Sequence, residues 1–238
     1  MRSEQYKIDY GSLSISYTVV RRERKTLEIG VEPDSSVTIV APFAASQETI
    51  AAKVQKRASW IIEQQNYFEQ FSPRMPEKRY MSGETHLYLG RQYRLKVIEA
   101  KQDSVKLLCG HIVIQIRHPE NCEEIRVLLN QWYRTKAREK FLERIEACAQ
   151  RFSKPSSVMP TGITIRGMQK RWGSMSHTYR LLLNQRLIQA PTYLIDYVIT
   201  HELCHIIEPY HNTRYFRILE RAMHDWEKRK NRLEIILS

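Results

Sequence analysis

The eleven-residue segment HELCHIIEPYH, at positions 201–211, restricts the possible folds of this chain more than any other part of its sequence. His201 and His205 are four residues apart, and on an α-helix this spacing places them about 40° apart around the axis and one turn apart along it. Both imidazoles can then reach one metal ion at ~2.0–2.1 Å, the usual zinc–nitrogen distance. The segment therefore predicts a helix that carries two metal ligands on one face.

The residues around this histidine pair complete a candidate zinc site. Glu202 is predicted to be the catalytic general base, because beside the ligands it can hold a zinc-bound water and accept its proton. His211 is the expected third ligand, and Pro209 supplies the turn it needs, since proline disfavours helical geometry at the residue before it. That residue, Glu208, is the alternative third ligand or a carboxylate that orients an imidazole. Three histidines make a familiar open zinc site, so we expect His211 and one catalytic Zn²⁺ ion.

Hydrophobic periodicity predicts an α+β chain in which a β-rich N-terminal region precedes a helical catalytic core. Strands are predicted at residues 13–19, 27–31, 37–41, 85–89, 93–99, 105–108, 112–116, 163–165 and 181–183. Helices are predicted at residues 46–71 and 120–152, from Pro191 at the first helical position to Pro209, and after Asn212 with Phe216 on the buried face.

A Pro-rich segment at residues 72–76 predicts a linker between two parts of the chain. We therefore assign residues 1–75, strands plus a helix, to an N-terminal domain and residues 76–238 to the catalytic domain. One continuous domain over residues 1–238 is the alternative.

Charge and composition indicate the expected surroundings of the protein. The net charge of +12, from 38 Lys and Arg against 26 Asp and Glu, makes nucleic acid a possible partner. No stretch approaches the ~18 uncharged apolar residues of a membrane span, and the N-terminus lacks the apolar core of a signal peptide. The 4 cysteines form no CxxC pair, which is typical of reduced thiols. We expect a cytoplasmic protein without membrane association.

Close to the whole chain resembles the YgjP-like metallopeptidase family, which is related to SprT-like and other minimal zincin proteases, and the C-terminal third is the specific part. The resemblance implies a minimal zincin-like core that acts on a peptide or protein substrate. It also implies three histidine ligands and a catalytic glutamate at the four positions identified above. The segments that carry the resemblance are Arg171-Trp172-Gly173-Ser174, residues 183–187, Ala190-Pro191, residues 196–198, and residues 201–211 with Phe216; residues 82–84, 88–90 and 93–95 also fit.

Further residues are candidates for contacts with substrate or with the ligands. Arg171 and Tyr210 are candidate donors to the oxyanion, and Asn184 is expected to bond the backbone near the site or to cap a turn. The resemblance implies that the strand at residues 181–183 forms the rim that pairs with extended substrate. Met175 stands where the family usually has cysteine.

Two other functions remain compatible with these residues. One is a DNA-associated zinc protein, either a protease that acts on DNA-bound proteins or a protein whose zinc is structural. The other is a non-catalytic module that has kept the metal site.

Overall fold

Backbone contacts divide the computed structural model of the chain into two units, Met1–Met75 with Ser238 and Pro76–Leu237. The structure describes residues 3–11, 13–32, 34–69, 78–169 and 171–237. Strands and helices occur in both units, so the predicted α+β class is confirmed. The predicted linker at residues 72–76 lies outside the described residues, and the assignment of domains stays a prediction.

The N-terminal unit is built on a four-stranded sheet with one buried face. Its strands are β1 (Ser3–Tyr10), β2 (Leu13–Arg22), β3 (Glu28–Val31) and β4 (Val37–Pro42), in the order β1-β2-β4-β3. Strands β2 and β4 are parallel and the other pairs antiparallel. Alternate residues of β2 and β4, such as Ile15 and Ile39, are buried. The sequence prediction missed β1 because its side chains are mostly polar, and its existence depends on pairing with β2.

Two helices cover the buried face of this sheet where one was predicted. Helix α1 spans Gln47–Lys56 and α2 spans Ala58–Glu69. The Ser46 hydroxyl caps α1 by accepting from the Thr49 N–H at 3.3 Å, as expected. The continuous helix over residues 46–71 is wrong, because the backbone leaves helical geometry at Arg57, whose N–H is shared between two carbonyls of the preceding turn.

A second four-stranded sheet begins the C-terminal unit and has the same strand order as the first. It consists of β5 (Thr85–Tyr88), β6 (Arg91–Glu99), β7 (Ser104–Leu108) and β8 (His111–Ile116), in the order β5-β6-β8-β7. All four strands were predicted. Helix α3 (Cys122–Ala149) contacts this sheet and buries residues at intervals of three to four, as its periodicity predicted.

The described remainder of the C-terminal unit contains a three-stranded sheet, three α-helices and two short 3-10 helices. Strands β9 (Gly162–Arg166), β10 (Gly173–Met175) and β11 (Arg180–Asn184) pair in the order β10-β11-β9. Helix α4 (Thr192–Ile207) contacts α3, β10, α5 (Thr213–Ala222) and α6 (Trp226–Leu237). Within the described part of the chain, none of the helices combines the length and apolarity that crossing a membrane requires.

Details of these helices correct the sequence prediction. Pro191 is the N-cap of α4 and not its first helical residue. Asn212 caps α5 as predicted, but the helix ends at Ala222 and α6 starts anew. Phe216 is 39% exposed, whereas its neighbour Tyr215 is fully buried. Tyr215 therefore takes the buried position that was expected for Phe216.

Candidate metal centre

The three predicted histidine ligands converge at the C-terminal end of α4. His201 and His205 lie one turn apart on the helix, and His211 returns to them after the helix has ended. One ring nitrogen from each histidine lies within 4.8 Å of the other two. Nε2 of His201 is 3.1 Å from Nε2 of His211. The structure thus brings together the three side chains that spacing selected in the sequence.

The turn that returns His211 begins at the residue before the proline. Glu208 has φ −139° and ψ 107°, the extended geometry that a following Pro209 favours. Four residues later the Asn212 side chain accepts a hydrogen bond from the Tyr215 N–H at 3.0 Å and starts α5. Proline and N-cap asparagine therefore fix both ends of the short connection that carries the third ligand.

This donor set fits a divalent ion such as zinc. In a tetrahedral site with zinc–nitrogen distances of 2.0–2.1 Å, two ligand nitrogens are about 3.3 Å apart. The 3.1 Å between His201 and His211 is close to that value. Nδ1 of His205 is 3.2 Å from the Glu208 carbonyl oxygen, which orients this ring with Nε2 toward the other two. Burial lowers the pKa of all three histidines, that of His201 to about 3, so the rings are neutral and their lone pairs are available.

One buried tyrosine contacts all three histidine rings. Tyr215 stacks on His205 with ring centroids 4.6 Å apart and meets His201 and His211 edge-on at 5.3 and 4.6 Å. Its hydroxyl donates to the His201 carbonyl at 3.0 Å. The tyrosine therefore fixes the ring orientations, and its hydroxyl is already committed to α4. These contacts were not predicted from the sequence, although a tyrosine one turn into a helix capped at Asn212 is a usable signal.

The Glu202 side chain is buried where α4 packs against the strand β10. The residue is 6% exposed, and the Met175 N–H interacts with its carboxylate. Burial raises the pKa of Glu202 to about 8, while this N–H and Arg171 act in the opposite direction. A carboxyl group with such a pKa can take up and return a proton near neutral pH. The contact with β10 was not foreseen, because β10 itself was not predicted.

The other residues singled out from the sequence have distinct surroundings. Glu208 is buried, but its carboxylate faces Arg214 at 3.7 Å and does not belong to the cluster of ligand atoms found among the described residues. Its carbonyl, rather than its side chain, orients an imidazole. Arg171 is exposed and reaches Ser174 at 3.4 Å, and Tyr210 is 75% exposed beside the third ligand.

The Asn184 side chain both bonds the backbone near the site and caps a turn, the two roles that the sequence suggested. Its Nδ2 donates to the carbonyls of Met168 and Arg171, at 2.8 and 3.1 Å, and its Oδ1 accepts from the Arg186 N–H at 3.1 Å. The side chain is buried. It therefore holds the segment that leads into β10 against the end of β11.

The strand expected to form the substrate rim is the wrong one. Strand β11 contains residues 181–183 but lies between β9 and β10, so hydrogen bonds occupy both of its edges. Among the described strands, β10 pairs with β11 alone and has its other edge open. The open strand edge next to Glu202 is therefore that of β10 (Gly173–Met175).

Comparison with known protein families finds a match to this chain. A family model described as YgjP-like, metallopeptidase domain matches residues 25–235 of the chain. The matched range includes the three histidines, Glu202 and β10. No curated protein matches the chain at a significant level.

Proposed function

Because the chain belongs to the YgjP-like metallopeptidase family, we propose that it is a zinc-dependent peptidase with a single ion held by His201, His205 and His211. The family implies a metal cofactor, and the neutral imidazoles within 4.8 Å of one another are the observation that carries the choice of zinc. Three protein ligands leave a coordination position for water or substrate, which distinguishes a catalytic site from a structural one.

In this proposal different residues of the chain have different roles in amide hydrolysis. A zinc ion, when bound, supplies a Lewis acid and lowers the pKa of a coordinated water to ≈ 7. The Glu202 carboxylate accepts a proton from the attacking water and delivers it to the leaving amine nitrogen. Tyr215 holds the three imidazoles, and the Glu208 carbonyl holds the His205 ring. Arg171 and Tyr210 remain the candidate donors to the oxyanion.

The open edge of β10 supports an extended peptide as the substrate. In an antiparallel pair, alternate residues bond to the partner strand. The Trp172 carbonyl accepts from the Asn184 N–H, and the Ser176 N–H donates to the Arg180 carbonyl. By this alternation Gly173 and Met175 direct their backbone groups away from β11. The Met175 N–H faces the Glu202 carboxylate, which leaves the Gly173 N–H and the two carbonyls for a peptide. A peptide that pairs there would run alongside Glu202.

Metal analysis combined with one isosteric substitution tests the proposal. We expect one zinc ion per chain, hydrolysis of an unfolded generic protein substrate, and loss of that activity on treatment with a chelator. Glu202→Gln should retain zinc and lose hydrolysis by at least about a hundredfold, because the amide cannot accept the proton. Glu146→Gln, an exposed position on α3, is the matched control and should behave as wild type. Equal activity in Glu202→Gln would refute the assigned role, and zinc binding without any hydrolysis would favour a non-catalytic module.

A groove in the N-terminal unit supports nucleic acid as a second partner. Its described lining has three cations, one tryptophan and two aliphatic side chains and no acidic one: Lys53, Lys56, Arg57, Trp60, Leu27 and Ile29. Trp60 is 38% exposed, so a base of a single strand could stack on it while the cations contact phosphates. Binding of a labelled oligonucleotide should weaken with salt and in Trp60→Ala. Binding that changes neither with salt nor in Trp60→Ala would refute nucleic acid as a partner of this groove.

The proposed location is the cytoplasm. Cys109 and Cys122 are exposed and unpaired, which fits a reducing compartment. Cell fractionation with an antibody to the chain would test this.

A further inference from the structure

Gly173 is in contact with Glu202 in a way that leaves no space for a side chain. A Cβ atom built on Gly173 would lie 2.7 Å from Oε1 and 2.8 Å from Cγ of Glu202. Real Cβ atoms essentially never approach other heavy atoms within 3.0 Å. The backbone of Gly173 does not itself call for glycine, since its φ lies outside the left-handed region that Gly11, Gly83 and Gly90 adopt. The carboxylate is therefore the feature that excludes a side chain at this position.

We propose that Gly173 is a positioning residue for the peptidase reaction: the space of its missing Cβ is the space in which the Glu202 carboxylate lies. This inference rests on the proposed function of Glu202. The same strand acts on the carboxylate in two ways. Gly173 allows its close approach, and the Met175 N–H interacts with it. Distance and orientation of the general base relative to the three histidines are thus set by β10.

The strand cannot move away to accommodate a larger residue. Just before Gly173, the Trp172 carbonyl accepts from the Asn184 N–H at 2.8 Å, and the Trp172 indole donates to Glu234 at 3.1 Å. The Asn184 side chain adds a bond to the Arg171 carbonyl at 3.1 Å. Glu202, in contrast, has a flexible side chain. An added methyl group is therefore expected to displace the carboxylate and to leave the fold unchanged.

The substitution Gly173→Ala tests this, with Gly167→Ala as its matched control. Gly167 directly follows β9 on the way to β10 and also lacks a left-handed φ, and a Cβ there meets nothing within 4 Å. In Gly173→Ala we expect kcat to fall on the order of a hundredfold, as small misplacements of a reacting group cause. KM, zinc content and the thermal midpoint should stay at wild-type values. Gly167→Ala should match wild type in all four quantities.

A measurement independent of hydrolysis follows the Met175 N–H directly. The chain has 7 methionines, so selective ¹⁵N-methionine labelling gives a short list of amide resonances. The Met175 amide proton should shift upfield in Glu202→Ala, which removes the carboxylate, and by a similar amount in Gly173→Ala. It should not move in Gly167→Ala. These spectra can be recorded with or without metal.

The outcomes separate this inference from the proposed function. A wild-type protein without peptidase activity would refute the function, and the Met175 resonance would still decide the role of Gly173. The inference is overturned if Gly173→Ala keeps kcat within about twofold of wild type, or if its Met175 resonance does not move. Should Gly173→Ala fail to fold, the double variant Gly173→Ala/Glu202→Ala decides: a folded double variant supports the contact with the carboxylate, and an unfolded one overturns it.

Discussion

Replacing Asp196 with asparagine is expected to lower the free energy of unfolding of the C-terminal unit by about 3 kcal/mol. Asp196 lies on α4, five residues before the first metal ligand, and is 5% exposed. It accepts two hydrogen bonds from Arg144, at 2.7 and 2.9 Å, and one from Arg151 at 3.1 Å. These contacts join α4 to α3 and the residues that follow it. The substitution keeps the shape of the side chain and removes its charge.

The expected loss of about 3 kcal/mol follows from removing the carboxylate that pairs with the two arginines. Removing one partner of a buried ion pair typically costs about 3–5 kcal/mol. The Arg144 and Arg151 side chains are 21% and 29% exposed, so water partly replaces the carboxylate and the lower end of that range applies. For a unit of this size, about 3 kcal/mol corresponds to a fall of the thermal midpoint by about 6–12 °C.

Urea unfolding followed by tryptophan fluorescence and by circular dichroism would measure this change. Glu139→Gln on α3 removes an exposed ion pair with Lys136 and is the matched control, for which we expect a loss of at most about 0.5 kcal/mol. If Asp196→Asn loses less than about 1 kcal/mol, the cost of desolvating the three charged groups offsets their attraction and the reasoning is refuted.

Three further predictions concern residues behind the site and in the second sheet. Tyr215→Phe should keep stoichiometric zinc and lose about 1 kcal/mol of stability in urea, because only the bond to the His201 carbonyl is removed; a loss of zinc would contradict this. Asn184→Ala should lose about 2–4 kcal/mol in the same assay, since its three backbone partners are left without it, and an unchanged urea midpoint would be the contrary result. Burial lowers the pKa of His86 despite its bond to Glu84, so the folded state favours the neutral ring. The stability advantage of wild type over His86→Gln should therefore shrink as the pH falls from about 7 to 5 through the unfolded pKa of about 6.5, and an advantage that grows with acidity would refute this.

The sequence was sufficient to predict those parts of the site that depend on local geometry. His201, His205 and Glu202 follow from helical periodicity, and His211 follows from its spacing and from Pro209. All four lie on one continuous stretch, where chain geometry alone determines which side chains can meet. The roles assigned to them stay proposals.

The parts that the sequence did not reveal depend on contacts between distant segments. Strand β10 has three residues and exists through its pairing with β11, so it has no periodicity of its own. The polar strand β1 is a similar case. Glu202 approaches Gly173 closely because glycine has no side chain, and no pattern of residue types in the sequence indicates such a contact. The choice of β11 as the substrate rim was wrong for the same reason, because strand order is a property of the folded sheet.

The three histidines and the tyrosine that supports them occupy the fifteen consecutive positions 201–215. Closing so short a loop around an ion costs little chain entropy. The metal site is therefore close to a self-contained cassette, which could be transplanted onto another helix–turn–helix frame together with its ligand geometry. The strand that positions Glu202, β10, is not part of that cassette, since it comes from an earlier segment of the chain. A graft of residues 201–215 alone would be expected to yield a metal-binding protein. A hydrolase would also need an edge strand that begins with glycine and directs a backbone N–H at the glutamate.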